Sequence, residues 1–454
     1  MKKRILIFAA LLLVALFASS IFYYYHQSPL VITSYSAVRQ YRFIREYSLP
    51  PDSFPNAIAL DAQGNVWFTM WKNASLAELT PATGILREFP LPISRNEGMT
   101  SWGIAVDSSR GFVWFTDAVS DSVWRFNIAN SEFQRFQLAK QAFPFQVAVD
   151  KNGDAWFTEF SANKLGEISP SGILHQWSIS NSTFPEPAGI AIDQQTGTVW
   201  FTLSETQDVG SFSNGKFTIY NLRNETITSI VGIAIDPQGN LWLTQHYSSL
   251  ISEFNPSTHY FRSISTSIPP LQESLPYFLQ VDQSGMVWLD EHYGNAISLF
   301  NPTTNQMIEY KIPSEVESEG NVSGALTLGL SDQGVPWFTE AYSSRIGTVN
   351  VSIPLTLSLN LNPAADLTLG ARNGSSIVLP FSVQGIGESF AMSSALANSS
   401  GNLNVEFSES SGDGNLSAHL TVKNEGSPTG LYFLTISTAT SDVIVSQVLA
   451  LKVN

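Results

Sequence analysis

Short apolar segments alternate with polar turns over residues 41–352, and the same order of segments recurs seven times. A typical copy has an apolar stretch such as 189–192, an Asp- and Gly-containing turn, a Trp-Phe-Thr or similar stretch and two further alternating stretches. Alternation bounded by Asp, Gly, Asn and Pro is typical of strands and hairpins. A tryptophan marks every copy: Trp67, Trp114, Trp156, Trp200, Trp242, Trp288 and Trp337. Four strands in a repeat of about 45 residues indicate a propeller blade, so we predict a seven-bladed β-propeller.

The two ends of the repeat region predict how the ring closes. The last copy, which ends at residue 352, lacks its fourth stretch, and a spare stretch at 41–50 precedes the first copy. That spare stretch resembles the outer stretches at 84–92 and 305–313. We therefore expect residues 41–50 to form the outer strand of the last blade, because this pairing would join the first blade to the last and remove an open edge.

The composition changes on both sides of the propeller. Residues 353–454 lack Trp, are rich in Ser, Asn, Gly and Thr, and keep a strand-like alternation. We predict an immunoglobulin-like β-sandwich there, without the Cys and Trp marks of antibody domains. Residues 26–40 are predicted to be a linker. The whole chain is thus expected to be all-β apart from its first segment.

The first 25 residues predict the compartment. Lys2, Lys3 and Arg4 precede an apolar run over 5–22, and three tyrosines follow it. This pattern favours an uncleaved signal-anchor, a single transmembrane helix that leaves the C-terminal bulk outside the cytoplasm at the cell membrane. The alternative is a cleaved signal peptide with a weak site at 18–20, in which case the protein is secreted.

Charge and cysteine content exclude several functions. The formal charge of −15 disfavours a nucleic-acid partner, because such a partner requires a basic surface. The chain contains no Cys, which excludes disulfides, zinc–thiolate sites and thiol catalysis.

The repeats resemble those of the streptogramin lyase, or virginiamycin B lyase, family. The shared elements are P-x-G-I, carried by 187–190; W-F-T-E, carried by 156–159 and 337–340; and (K/R)-x-G, carried by 164–166 and 345–347. The resemblance covers about residues 41–352 and implies a seven-bladed propeller.

The family's enzyme is a magnesium-dependent lyase that opens a cyclic depsipeptide by elimination, with a His as the base. The resemblance places its two functional His residues at the x of P-x-G-I in the last two blades. That row here, which we call the axial row, contains no His: Asn56, Trp102, Phe145, Ala188, Val231, Tyr277 and Leu326. We therefore do not expect streptogramin lyase activity.

A second equivalent row lies three residues after each Trp and contains four acidic members: Asp117, Glu159, Glu291 and Glu340. If their strands lined the channel, the four carboxylates would converge near the axis and would require a cation such as Mg²⁺ or Ca²⁺. The alternative is that these side chains accept hydrogen bonds within the repeated architecture.

Two histidines follow members of this row in adjacent blades. His246 and His292 each precede a Tyr, and a His is a suitable general base near neutral pH. In a catalytic interpretation they act with Glu340, or with Glu291, as orienting or metal-binding partners. The alternative is a strand-end His bonded to a loop, because adjacent strand residues point to opposite faces.

Several aromatic residues are expected around the same mouth: Trp71, Trp102, Phe145, Phe160 and Tyr277. They could stack on a small molecule, a glycan or a peptide, or simply pack beneath the loops. The sequence leaves three functions open. The first is a membrane-anchored ligand-binding or scaffold module. The second is a metal-dependent lyase or hydrolase with a rearranged central site. The third is a purely structural envelope protein.

Overall fold

A computed structural model describes residues 31–93, 98–179, 184–222, 229–266, 273–361, 367–397 and 402–454, and these are almost entirely β-structure. The predicted anchor at 1–25 lies outside the described residues. Within the ranges given, no helix is long and apolar enough to cross a membrane. The only helical segments in those ranges are two 3₁₀ turns, His246–Ser248 and Glu317–Glu319.

The strands of the repeat region follow one another in antiparallel hairpins. In chain order they are β1 (Ile32–Tyr35), β2 (Val38–Gln40), β3 (Ile44–Ser48), β4 (Pro55–Leu60), β5 (Val66–Met70), β6 (Ser75–Thr80), β7 (Ile85–Pro90), β8 (Ile104–Asp107), β9 (Phe112–Asp117), β10 (Ser122–Asn127), β11 (Glu132–Gln137), β12 (Pro144–Val149), β13 (Ala155–Glu159), β14 (Lys164–Ile168), β15 (Leu174–Ser178), β16 (Pro187–Asp193), β17 (Thr198–Leu203), β18 (Asp208–Ser213), β19 (Lys216–Asn221), β20 (Ile230–Ile235), β21 (Leu241–Gln245), β22 (Leu250–Phe254), β23 (Phe261–Ser265), β24 (Pro276–Val281), β25 (Val287–Glu291), β26 (Ala296–Asn301), β27 (Gln306–Lys311), β28 (Leu328–Leu330), β29 (Pro336–Glu340) and β30 (Arg345–Val349).

These strands form a propeller around a central channel of about 370 Å³. The strands that line the channel are the first of each repeat: β4, β8, β12, β16, β20, β24 and β28. Among the described strands, six repeats form separate four- or five-stranded sheets. The prediction of a seven-bladed propeller is corrected: six blades are found as separate sheets among the described strands, because β24–β27 are part of an eleven-stranded sheet. The reason is that the outer edge of β27 pairs with a strand from the C-terminal region.

The predicted ring closure is confirmed. Strand β3 pairs antiparallel with β30, so that Ile44 lies opposite Val349 and Tyr47 opposite Ile346. Tyr47 is buried, and its ring lies 5.5 Å from that of Trp337. The first and last parts of the repeat region are therefore joined within one sheet, and β3 covers the edge that β30 would otherwise expose.

The segment predicted as a linker contributes strands instead. Within 31–40, β1 pairs with the outer strand β7 of the first repeat, and β2 pairs with β3 in the last. Each adds a fifth strand to its sheet. The polypeptide therefore crosses between the two blades that flank the junction before it enters the ring.

The repeated sequence motifs have physical reasons in the structure. Asp61 at the turn accepts hydrogen bonds from the backbone N–H of Gln63 and Asn65 and, at 3.0 Å, from Nε1 of Trp67. Asp236 does the same for Trp242 at 3.2 Å. The Asp carboxylate of the turn therefore accepts the hydrogen bond of the buried indole N–H, so that this donor is not left unpaired in the core.

The Gly of the (K/R)-x-G motif lies against the Phe of the preceding strand. A Cβ at Gly166 would come within 2.1 Å of the Phe157 ring, and one at Gly347 within 2.2 Å of Phe338. Only a glycine leaves room for the ring at this position. The spacing between W-F-T and (K/R)-x-G is thus a packing requirement of the blade.

The Thr that follows the recurring Trp by two positions joins the blade to the next one in four repeats. In the fourth repeat, the Thr202 hydroxyl accepts the N–H of Gly189 at 2.8 Å and donates to the carbonyl of Val231 in the fifth repeat at 2.8 Å. The same donation to the following repeat is made by Thr116, Thr158 and Thr244. Trp and Thr therefore face the next blade, and the alternating Phe and acidic residues face the previous one.

The C-terminal region continues the sixth repeat. Its strands are β31 (Leu357–Leu361), β32 (Leu367–Leu369), β33 (Ser376–Ala397), β34 (Leu403–Phe407), β35 (Ser411–Asn424), β36 (Gly430–Ala439) and β37 (Val443–Val453). Strand β37 pairs with β27, from Gln306 opposite Gln447 to Tyr310 opposite Val443. The region is all-β as expected, while its immunoglobulin-like topology stays a prediction.

Candidate functional site

Aromatic side chains of the axial row meet at one end of the channel. The ring of Trp102, from the second repeat, lies 5.6 Å from Phe145 in the third and 5.5 Å from Tyr277 in the sixth. Repeats two and six are not neighbours in the ring, so Trp102 reaches across the axis. These distances are typical of favourable aromatic contacts, and the rings cover the end of the channel.

The other two predicted aromatic residues extend this cluster. Trp71 lies 5.2 Å from Trp102 and donates its Nε1–H to the Ser101 carbonyl at 3.2 Å. Phe160 lies 5.8 Å from Phe145. The structure therefore brings all five predicted aromatic residues into one connected group at the mouth.

A cavity of about 680 Å³ lies beside this aromatic cluster, and we call it the mouth cavity. It opens over the two repeats in which the axial row has small side chains, Ala188 and Val231. In the axial row these two residues stand between the aromatic residues Trp102 and Phe145 on one side and Tyr277 on the other. The cavity lies where the row has no aromatic side chain to fill the space. Its lining comprises Trp102, Phe143, Phe145, Phe160, Glu186, Ala188, Ser204, Glu205, Gln207, Ser229, Val231, His246, Tyr247 and Tyr277.

The polar lining of this cavity is not among the residues predicted from the sequence. Glu186 precedes the inner strand β16, and Ser204, Glu205 and Gln207 follow the Trp-Phe-Thr strand β17 of the same repeat. A signal was present, because loops that follow the second strand of a repeat open at the same end as the axial row. The cavity was not predictable without knowing that Ala188 and Val231 are neighbours there.

The charge in the mouth cavity is negative. Partial burial, and secondly the neighbouring charge of Glu205, raise the pKa of Glu186. Throughout the parts of the chain that the structure describes, no Lys or Arg lines the cavity, and neither carboxylate takes part in an ion pair. Two acidic groups therefore face an aromatic-walled space without a basic partner among those residues.

The two predicted histidines are brought together at the edge of the cavity. Their rings are stacked, 5.0 Å apart with an interplanar angle of 15°. The Nδ1 atom of His246 lies 3.2 Å from the Pro276 carbonyl oxygen. Burial lowers the pKa of His246, and burial together with the His246 charge lowers that of His292 to about 4. Both imidazoles are therefore neutral at pH 7 and able to accept a proton.

The carboxylates proposed to orient these histidines lie elsewhere. Glu340 accepts a hydrogen bond from the Ser343 hydroxyl at 2.9 Å and lies near Glu46 in the last repeat. Glu291 lies beside Glu309 in the sixth. Within the described ranges neither imidazole has a carboxylate hydrogen-bond partner, so the catalytic grouping of His292 and His246 with Glu340 is not supported by the geometry.

The predicted convergence of the four carboxylates is wrong. Glu159 points outward and accepts a hydrogen bond from Gln176 on the outer strand β15 at 2.5 Å. Asp117 bonds to the Ser120 hydroxyl at 2.5 Å and the Thr100 N–H at 3.2 Å. These strands are second in each blade, and their acidic side chains face the previous blade and not the channel.

As a result, the predicted metal ligands do not share a site. Asp117, Glu159, Glu291 and Glu340 are each fully buried in a different repeat. The described residues contain no group of three or more His, Cys, Asp or Glu side chains arranged to hold a metal ion. The residues named for Mg²⁺ or Ca²⁺ do not fit a common cation, and we derive no chemical step through one.

Comparison with known proteins agrees with the propeller fold. A family model described as the virginiamycin B lyase family matches residues 36–196. Among solved structures, a streptogramin B lyase matches with 24% identity and a TM-score of 0.60, covering 68% of this chain and 97% of its own. No curated protein matches the chain significantly.

Two further solved structures come from Staphylococcus aureus. Selenomethionine-substituted virginiamycin B lyase matches with 21% identity and a TM-score of 0.59, covering 68% of this chain and 99% of its own. A catalytically inactive His-to-Ala variant of that lyase with quinupristin matches with 22% identity and a TM-score of 0.58, over the same shares of both chains. Identities this low establish the fold and not the activity. The chain is a β-propeller that resembles the virginiamycin B lyase family.

Proposed function

We propose that this protein is a ligand-binding propeller whose binding site is the mouth cavity. The observation that supports the proposal is that Ala188 and Val231 stand in the axial row between the aromatic residues Phe145 and Tyr277, beside a cavity of about 680 Å³ with aromatic walls. Ligand sites are typically concave, largely apolar and equipped with a few polar groups, and this volume is within their usual range. The ligand classes that suit it are a small molecule, a glycan or a peptide.

The proposal includes the location of the protein. We propose that residues 1–25 anchor it as a single membrane span with the propeller outside the cytoplasm, or release it if they are cleaved. The support is the basic cluster at residues 2–4. It is followed by an apolar run of 18 residues, 5–22, which is interrupted only by Ser19 and Ser20. In this arrangement the C-terminal strands act as a spacer or adhesion region beside the sixth repeat.

The binding proposal is tested by filling the cavity. A mixed library of aromatic amines, oligosaccharides and short peptides is screened against the protein by tryptophan fluorescence, because Trp102 lines the cavity. Ala188→Phe and Val231→Phe place a phenylalanine in the axial row of the fourth and fifth repeats. The third repeat already has a phenylalanine, Phe145, at this position. We expect a saturable ligand whose binding both variants abolish. Ala129→Phe, in an exposed turn, is the matched control and should bind normally.

If no library member binds, or if binding is unchanged in both filled variants, the mouth cavity is not the site. Urea midpoints of the variants, compared with the wild type, show whether a loss of binding reflects loss of folding. Two positions are used because an overpacked variant can fail to fold, and one well-folded variant is sufficient for the test.

A second candidate is a lyase or hydrolase, and the stacked neutral His246 and His292 at the cavity edge favour it. Their position beside the cavity suits proton abstraction from a bound molecule. The test is to incubate the protein with quinupristin, with and without Mg²⁺, and to follow the intact cyclic compound by chromatography. Because the axial row lacks His, we expect no ring opening. Turnover that disappears in His292→Ala would establish the enzyme instead.

A further inference from the structure

The mouth cavity combines aromatic walls with acidic groups on one side. Trp102, Phe145 and Tyr277 form one wall, and Glu186 and Glu205 lie on the side of the fourth repeat. A carboxylate only accepts, so a pair of carboxylates selects for donors or positive charge.

The two carboxylates also repel each other. Partial burial raises the pKa of Glu186, and the neighbouring charge of Glu205 adds to that increase. A positive ligand group between them would relieve the repulsion, because an opposite charge within a few ångströms favours the ionised form. His246, the imidazole in the lining, is partly buried, and burial favours its neutral form, so it does not supply that charge.

The aromatic wall favours the same class of ligand. The faces of Trp, Tyr and Phe attract cations, and an attraction of about 2 kcal/mol or more is usual where the cation is desolvated. Trp102 and Phe145 are stacked with an interplanar angle of 21°, and the Tyr277 ring lies at 44° to Trp102. The cavity therefore offers several ring faces and two carboxylates to one occupant.

We propose that the mouth cavity binds an organic cation, an alkyl- or arylammonium compound whose charge lies against Glu186 and Glu205 and whose apolar part packs on Trp102 and Tyr277. This inference rests on the proposed binding function and specifies its ligand class. It also agrees with the formal charge of −15, which attracts cations at long range.

The test compares two probes of the same shape. Choline is a quaternary ammonium alcohol, and 3,3-dimethylbutan-1-ol is its uncharged isostere. We expect choline to bind at least tenfold more tightly in tryptophan-fluorescence titrations at low salt. Glu186→Gln should weaken choline binding about tenfold, and Glu205→Gln less because Glu205 is exposed. Binding of the isostere should be unchanged in both variants. Glu315→Gln, at an exposed site outside the cavity, is the control.

Equal binding of the two probes, or no binding of choline, overturns the cation proposal. The binding proposal is judged separately, by whether any library ligand is lost in Ala188→Phe. A neutral ligand that depends on Ala188 would refute the ligand class and leave the site intact. The absence of any such ligand would refute both.

Discussion

Buried carboxyl groups in the sixth repeat should make the protein less stable as pH rises. Glu291 and Glu309 are fully buried on the same face of this blade, and Ser298 lies opposite Glu309 in register. Burial raises the pKa of both groups, and for Glu309 to about 8 from its ordinary value of 4.5. In the fifth repeat the equivalent positions hold the neutral set Gln245, Ser252 and Ser263, in which the Gln245 amide donates to both hydroxyls.

The sign of the effect follows from the direction of the shift. Below pH 4.5 the Glu309 carboxyl is protonated in both the folded and the unfolded chain, so its ionisation does not change the free energy of unfolding. Between pH 4.5 and about 8 only the unfolded chain ionises, which lowers the free energy of unfolding. Each pKa unit corresponds to about 1.4 kcal/mol, so the loss amounts to roughly 4 kcal/mol by pH 8.

Glu309→Gln removes this titration, and the Ser298 hydroxyl lies opposite to accept from the new amide. We expect the variant to equal the wild type within about 1 kcal/mol at pH 4.5 and to exceed it by roughly 4 kcal/mol at pH 8.5. The assay is urea unfolding followed by fluorescence at several pH values. Glu315→Gln, at an exposed site, should show no such trend. A pH-independent difference between Glu309→Gln and the wild type would refute the reasoning.

Three further predictions concern the blades and the mouth. Thr202→Val leaves the carbonyl of Val231 without its donor and should lower the free energy of unfolding by about 1–3 kcal/mol, measured from urea midpoints. Gly210→Ala places a Cβ within 2.2 Å of Phe201 and should cost about 1–3 kcal/mol in the same assay. The imidazole of His292 should titrate near pH 4 by NMR, because burial and the neighbouring His246 lower its pKa.

The two stability predictions each have a matched comparison on the same chain. Thr218→Val is at an exposed position of an outer strand, and Gly98→Ala adds a Cβ with no atom within 4 Å. Both should leave the urea midpoint unchanged. If the core and surface substitutions were equally costly, the interblade hydrogen bond and the Gly–Phe packing would not explain the motif. A His292 resonance that titrated at its usual pH would contradict the buried stacked pair.

Most of the propeller was predictable because its signals are local and repeated. The Trp, the Asp turn and the (K/R)-x-G spacing recur, and the match between 41–50 and other outer strands predicted the outer strand of the last blade, which is β3 paired with β30. The joining of β27 to β37 was not predictable. It pairs residues about 140 positions apart, from Gln306 opposite Gln447, and no pattern in either strand specifies that partner.

The sequence predicted the aromatic residues at the mouth but not the positions of the carboxylates, for a reason of geometry. The predicted aromatic residues lie together at the mouth because three of them belong to the axial row, and Trp71 and Phe160 directly follow the second strands of their repeats at the same end. The carboxylates were misplaced because the Trp-Phe-Thr strand is second in each blade, and its final residue faces a neighbouring blade. Glu159, bonded to Gln176 on the outer strand, shows this directly. The cavity depends on missing volume at Ala188 and Val231, which a sequence reveals only after the ring is assembled.

The most direct test of the central claim is the position of a bound ligand in a crystal structure of the complete propeller with choline or with the best ligand from the library. We expect density over Ala188 and Val231, in contact with Trp102 and Tyr277, with the positive group toward Glu186. Density at another surface, with the mouth cavity holding only water at saturating ligand, would contradict the account.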